Sequence, residues 1–195
     1  MDAMHLLPKD GRYTYADYAK WPDDVRYELI DGKAYLMAAP GTAHQKISGE
    51  LFVQLRNFLR GKPCLVLAAP YDVCLNGAGD DDDTVVQPDL LVVCDRSKLD
   101  GKRCSGAPDM VIEILSRSTS GRDAVLKFNK YLQTGVREYW IVNPENKTVS
   151  AHILKNKEYV ASAYSDTDTA PVQVLDGCQI NLSDVFSEWQ EEMAP

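Results

Sequence analysis

The sequence predicts an α/β fold, a mixed β-sheet flanked by helices, and three observations carry that expectation. Residues 89–94 and 110–115 are nearly continuous apolar runs, as in strands buried on both faces. Residues 42–59 and 120–133 carry apolar side chains at helical spacing. Short strand-like runs bounded by Gly, Pro, Asn and Asp fill the intervals and follow the second helix. With 195 residues, 45% of them hydrophobic, the chain can bury one substantial core and is too apolar to be disordered. One domain over residues 1–195 is expected, with the tail after 171 the least legible part.

Thr14 can cap a short helix over 15–20, which Trp21-Pro22 stops because the residue before proline disfavours helical dihedrals. Tyr27-Glu28-Leu29-Ile30, Asp31-Gly32 and the run 33–37 read as a hairpin, since Asp-Gly suits a turn with two positive-φ residues. In the helix 42–59, Ile47, Leu51 and Leu55 recur on one face, and Gly61 and Pro63 end it. Strand-like runs follow at 64–68, 71–75, 85–86 and 89–94, with a Gly/Asp loop at 76–83, and then at 110–115. Ser120-x-x-Asp123 looks like a capping box opening the second helix, and Gly135 closes it. Gly121, Val125, Phe128 and Leu132 read as its core stripe, with Lys127 one flank over beside Ala124 and Tyr131. A meander over 138–142, 148–154 and 159–163 completes the reading.

No run of about 18 apolar residues exists, and the first eleven residues lack an apolar signal core, so a soluble, cytoplasmic protein is expected. Five scattered cysteines without a C-x-x-C pair argue against a disulfide framework or structural zinc and suggest reduced, buried thiols. The net charge of −8 speaks against a protein that coats nucleic acid. It is unevenly placed: residues 96–137 hold nine basic and four acidic side chains, net +5, and the remainder carries −13.

The phosphate-loop, serine-elbow and zinc-protease motifs are absent, and three histidines leave little material for a histidine metal site or triad. Asp80 to Asp83 reads as a solvated loop, because adjacent carboxylates repel. Asp89 and Glu113 are odder: one stands at the mouth of a buried strand, the other inside one, and acids are almost never buried unpaired. Each meets a neighbouring Arg or Lys, or the strand end lies in water, or a hard divalent cation such as Mg²⁺ or Mn²⁺ turns their repulsion into attraction.

Pro88-Asp89 and, 24 residues on, Glu113 resemble the PD-(D/E)XK nuclease pattern. More specifically, the chain resembles the Uma family of restriction-endonuclease-like proteins. The matching pieces are Tyr27 to Gly32, His44 at a helix start, Gln87-Pro88-Asp89-Leu90 and Glu113-Ile114-Leu115-Ser116. Asp123-x-x-x-Lys127-x-x-x-Tyr131 and Gly135 to Val142 complete them, and the resemblance covers about residues 14–154. It implies a restriction-endonuclease-like fold and Mg²⁺-dependent (or Mn²⁺-dependent) hydrolysis of DNA phosphodiester bonds, with DNA as partner and a homodimer as an expected assembly. It implies Asp89, Glu113 and the Ile114 carbonyl as metal ligands, and Glu28 as a further acid acting through water or at a second site. Leu115 stands where the usual pattern has lysine, and Lys127 matches a lysine displaced to the following helix; otherwise Lys127 is a surface partner of Asp123 at i, i+4. His44, Ser116, Ser118 and Arg122 are candidate substrate contacts, and Tyr131, Tyr139 and Trp140 read as core aromatics. Two rivals remain: an inactive nuclease-fold module acting in binding or assembly, and an enzyme for a small phosphorylated substrate.

Overall fold

The computed structural model of the chain describes residues 11–22, 25–116 and 121–187, the side chains of 121–124 excepted. After the short α1 (Tyr15–Tyr18), where the Asp17 carboxylate accepts the Thr14 N–H at 3.1 Å, the chain forms the hairpin β1 (Tyr27–Ile30) and β2 (Lys33–Leu36). Asp31 at φ 52° and Gly32 at φ 73° make the tight turn, pairing Ile30 with Lys33. Next come α2 (Thr42–Phe58), β3 (Leu65–Ala68), β4 (Asp72–Cys74), β5 (Val85–Val86), β6 (Leu90–Val93), β7 (Arg103–Ser105) and β8 (Met110–Ile114). Then follow α3 (Gly121–Thr134), β9 (Glu138–Asn143), β10 (Thr148–Lys155), β11 (Glu158–Ser165), β12 (Thr169–Pro171), β13 (Gln179–Asn181) and α4 (Leu182–Val185). Ser120, the expected cap of α3, lies outside the described residues.

The fold class is the expected one, but the sheet is divided. A five-stranded sheet runs β2-β1-β5-β4-β7 and a six-stranded sheet β11-β10-β9-β8-β6-β3, each with one parallel pair, β4 with β7 and β8 with β9. The chain passes between the sheets five times, and at two of the passages, from β3 to β4 and from β5 to β6, stand Pro70 and Pro88. Proline has no N–H for a ladder, which suits a point where pairing must stop.

Side-chain alternation assigns the faces of the six-stranded sheet. Leu90, Val92, Met110, Ile112 and Ile114 pack with Ile47, Leu51 and Leu55 of α2, and with Ala170, Ile180, Leu182 and Val185 of the C-terminal elements. Leu91, Val93 and Val111 face the other way, onto Ile30, Val73 and Val86 of the five-stranded sheet and Tyr131 of α3. Period two places Glu113 on that second face with Val111. No described helix is long and apolar enough to cross a membrane.

Three readings from the sequence change. Cys64 and Cys94 are joined in a disulfide, because they continue the register that pairs Leu65 with Val93, a relation 30 residues of separation hide. Cys74, Cys104 and Cys178 are free and buried, and burial pushes their thiols up to about 12, 11 and 11, so they are packing groups at neutral pH. Thiol titration of the denatured, unreduced protein should therefore find three free thiols of five; five would remove the bridge. The aspartate run is not simply solvated: Asp82 is fully buried and accepts from the Ala78 and Thr84 N–H groups and the Asn76 amide. Finally, on α3 Phe128 of the expected stripe packs against the core and Tyr131 is fully buried, but Val125 is 60% exposed, so the inward face is rotated away from Val125.

Candidate active site

Where the two sheets meet α2 and α3 there is a cleft of about 330 Å³. Glu28 enters it from β1, Asp89 from the residue preceding β6, Glu113 from β8, Lys127 from α3 and His44 from α2. Leu115 and Ser116 also line it.

Lys127 Nζ is the hub. It lies 2.8 Å from Glu28 Oε1 and 2.9 Å from Glu113 Oε1, so these oxygens are under about 6 Å apart. All three side chains are at most 14% exposed. Lys127 is thus buried in the cleft and is not an exposed side chain; the Asp123 side chain lies outside the described residues. Glu113 Oε1 also accepts from the Tyr131 hydroxyl at 2.6 Å. Burial pushes the Glu113 carboxyl up to about 7; Lys127 and the Tyr131 hydrogen bond oppose the rise, and Asp89 and Glu28 reinforce it. Burial acts to lower the Lys127 pKa, yet Glu113 and Glu28 outweigh it and hold the ammonium protonated.

Asp89 is fixed by the Ile114 N–H, which donates to its Oδ2 at 2.7 Å, with His44 Nε2 3.1 Å from the same oxygen. That hydrogen bond raises the His44 pKa, with burial opposing. The Ile114 carbonyl projects from the same strand edge as its N–H, toward Asp89, because a strand residue presents both groups on one side. Glu28 is held from behind by the Gln87 N–H, 2.8 Å from its Oε1. The Gln87 side chain is tied at both ends: its oxygen accepts from Arg26, and its NH₂ donates to Tyr18 Oη and Asp72 Oδ1.

Among the described residues no three His, Cys, Asp or Glu side chains converge to hold an ion. Lys127 stands between Glu28 and Glu113, which leaves Asp89, Glu113 and the Ile114 carbonyl as oxygen donors lining the same cleft. One or two carboxylates with several waters retained is how Mg²⁺ is commonly bound, so the donors fit that ion. Glu28 fits only as a ligand through water.

The fold thus assembles Glu28, His44, Asp89, Glu113, Ile114, Ser116 and Lys127 in one cleft. Ser118 and the Arg122 side chain lie outside the described residues. The basic stretch 96–103, which opens the net-positive segment 96–137 and would on charge alone be assigned to the DNA backbone, is elsewhere: it follows the opposite end of β6 from Asp89. There Arg96 donates to the Pro63 carbonyl, Lys98 to the Ala107 carbonyl, and Arg103 pairs with Asp80 and Asp100. Local basic count does not report which sheet end a loop occupies. Sequence reasoning missed the polar role of Tyr131, although its i, i+4 spacing from Lys127 puts both on one face. It also missed the clamp formed by Arg26 and Gln87: Gln87 lies in a matching piece, but nothing in the chain pairs it with Arg26.

Known proteins resemble this chain in sequence and in fold. The sequence profile of the Uma2 family, described as "Putative restriction endonuclease", matches residues 15–183. An uncharacterised protein of Synechocystis sp. (strain PCC 6803) is 28% identical over 130 residues, 65% of this chain and 66% of that protein, so the chain spans about two thirds of its length. A crystal structure from Anabaena variabilis, described as "a putative nuclease belonging to DUF820", superposes with a TM-score of 0.72 at 20% identity, over 89% of this chain and 97% of that one. At that identity the likeness establishes the fold. The profile, covering most of the chain, shows the family: this protein belongs to the Uma2 family.

Proposed function

We propose that the protein is a Mg²⁺-dependent endonuclease (Mn²⁺ serving as well) that hydrolyses DNA phosphodiester bonds in this cleft. The observation that carries the reading is the buried Lys127, shared between Glu28 and Glu113 on the face that also holds Asp89. Asp89, Glu113 and the Ile114 carbonyl would hold the ion. When bound, Mg²⁺ supplies Lewis acidity, making a water acidic enough to attack and neutralising charge on the phosphoryl oxygens. Asp89 uses Oδ2 for Ile114 and His44, and Glu113 uses Oε1 for Lys127 and Tyr131, which leaves the second oxygen of each for a ligand. Lys127 directs two of its three N–H donors at carboxylates. The third can orient the attacking water and stabilise charge as the phosphate becomes more negative. Held charged by two carboxylates, Lys127 acts as an electrostatic donor and not as the base.

Purified protein should nick supercoiled plasmid with Mg²⁺ or Mn²⁺ and not with EDTA. No cleavage of duplex or single-stranded DNA with either ion would overturn the reading. One observation favours a rival, a binding or assembly module that has lost catalysis: Lys127 already neutralises Glu28 and Glu113 without any ion. That rival predicts no heat on titration with Mn²⁺. Cutting both strands calls for two sites, which a two-fold dimer supplies; sedimentation of the protein with and without DNA tests that assembly.

A further inference from the structure

Arg26 differs from the other well-placed cations of this protein. It stands one residue before β1 and lines the cleft with Glu28, Asp89 and Lys127. Its Nε and one Nη donate to the Gln87 side-chain oxygen at 3.0 and 2.6 Å, and among the described residues no carboxylate pairs with it. Lys127, Lys130, Arg103 and Arg137, by contrast, are each paired with carboxylates. The clamp is itself immobile, because the Gln87 NH₂ is tied to Tyr18 and Asp72 at 2.9 and 2.8 Å. A neutral amide fixed in this way orients a guanidinium without discharging it, and three of the five guanidinium N–H donors remain for a ligand.

We propose that Arg26, held by the Gln87 amide, grips a backbone phosphate of DNA bound in this cleft; the inference rests on the nuclease reading above. Three carboxylates against one lysine make the cleft floor repel a polyanion, so the wall must supply uncompensated positive charge. A planar guanidinium matches phosphate through paired N–H donors. Arg26 and Glu28 are two residues apart on one extended segment, about 7 Å, so the phosphate gripped is a neighbour of the one reacting. The DNA path then follows the β1 wall and bypasses the basic stretch 96–103.

Binding of a short fluorescein-labelled DNA duplex in EDTA, where nothing is cut, tests this. Arg26→Gln should weaken binding about tenfold and flatten the slope of log affinity against log salt by about 0.9, the share of one phosphate. Arg26→Lys should keep the slope, and Arg96→Gln should match the parent in both. In Mg²⁺, Arg26→Gln should raise KM with kcat little changed. A second measurement needs no variant: a duplex with a neutral methylphosphonate beside the scissile linkage should bind the parent about tenfold less tightly. Parental affinity and slope in Arg26→Gln, or a slope in Arg26→Lys as flat as in Arg26→Gln, would overturn the grip. A parent that binds with this Arg26 dependence but cuts nothing in Mg²⁺ or Mn²⁺ would support the grip and remove the nuclease reading, so the two failures are distinguishable.

Discussion

Replacing Lys127 by Met should lower the cleavage rate by roughly 10²-fold or more, the scale for losing one preorganised electrostatic donor. It should also destabilise the metal-free protein, because Glu28 and Glu113 lose the cation between them. Breaking a buried pair costs about 3–5 kcal/mol, and a domain of this size loses about 2–4 °C in Tm per kcal/mol, so a fall of roughly 6–20 °C is expected. A divalent ion can replace the missing positive charge, so Mg²⁺ should raise Tm more in Lys127→Met than in the parent. Leu115 lines the cleft, and Leu115→Lys in the Lys127→Met protein should restore part of the rate. The check is single-turnover cleavage beside thermal melting. A Lys127→Met protein that cuts at the parental rate would remove Lys127 from the chemistry and leave it a structural pair.

If Asp89 and Glu113 hold the ion as proposed, Asp89→Asn and Glu113→Gln should each reduce cleavage by at least about 10³-fold, since each would remove one of two charged ligands. Their effects on metal-free stability should differ. Simple repulsion between two buried acids predicts that both variants gain stability, and the contacts alter that expectation. In Asp89→Asn the amide oxygen can still accept the Ile114 N–H that now binds Asp89 Oδ2, so this variant should melt within a few degrees of the parent. In Glu113→Gln the neutral amide weakens the attraction to Lys127 as well as the repulsion, so this variant should melt lower than Asp89→Asn. Parallel melting curves and a Mn²⁺ titration by calorimetry check both halves. Full activity in purified Asp89→Asn would sink the assignment of the site.

Much of this arrangement could be read from the chain alone, wherever the signal was local. Asp31-Gly32 announces its own turn, because few residue pairs accept two consecutive positive φ values. The apolar runs around Leu91 and Ile112 announce buried strands, so the acids at Asp89 and Glu113 stand out as needing partners. The spacing of these acids with Lys127 marked the family. The signal was weakest where elements are short and polar, as at β7, and in the C-terminal elements, which become regular only by packing against α2 and the six-stranded sheet.

Other features follow from contacts between segments distant in sequence, and only the assembled molecule decides them. Apolar periodicity favours burying Val125 on α3. The structure exposes Val125 and buries Lys127 and Tyr131 instead, because a buried Glu113 needs a cation and a hydroxyl more than the core needs one valine. The partner that makes a buried Lys127 tolerable is Glu28, 99 residues before it, and no local pattern reports that proximity. For the same reason the Cys64–Cys94 bridge, the division into two sheets and the placement of residues 96–103 away from the cleft were invisible in the chain. Residue type and spacing state which groups are chemically costly to bury; the tertiary register decides which other groups are close enough to offset that cost.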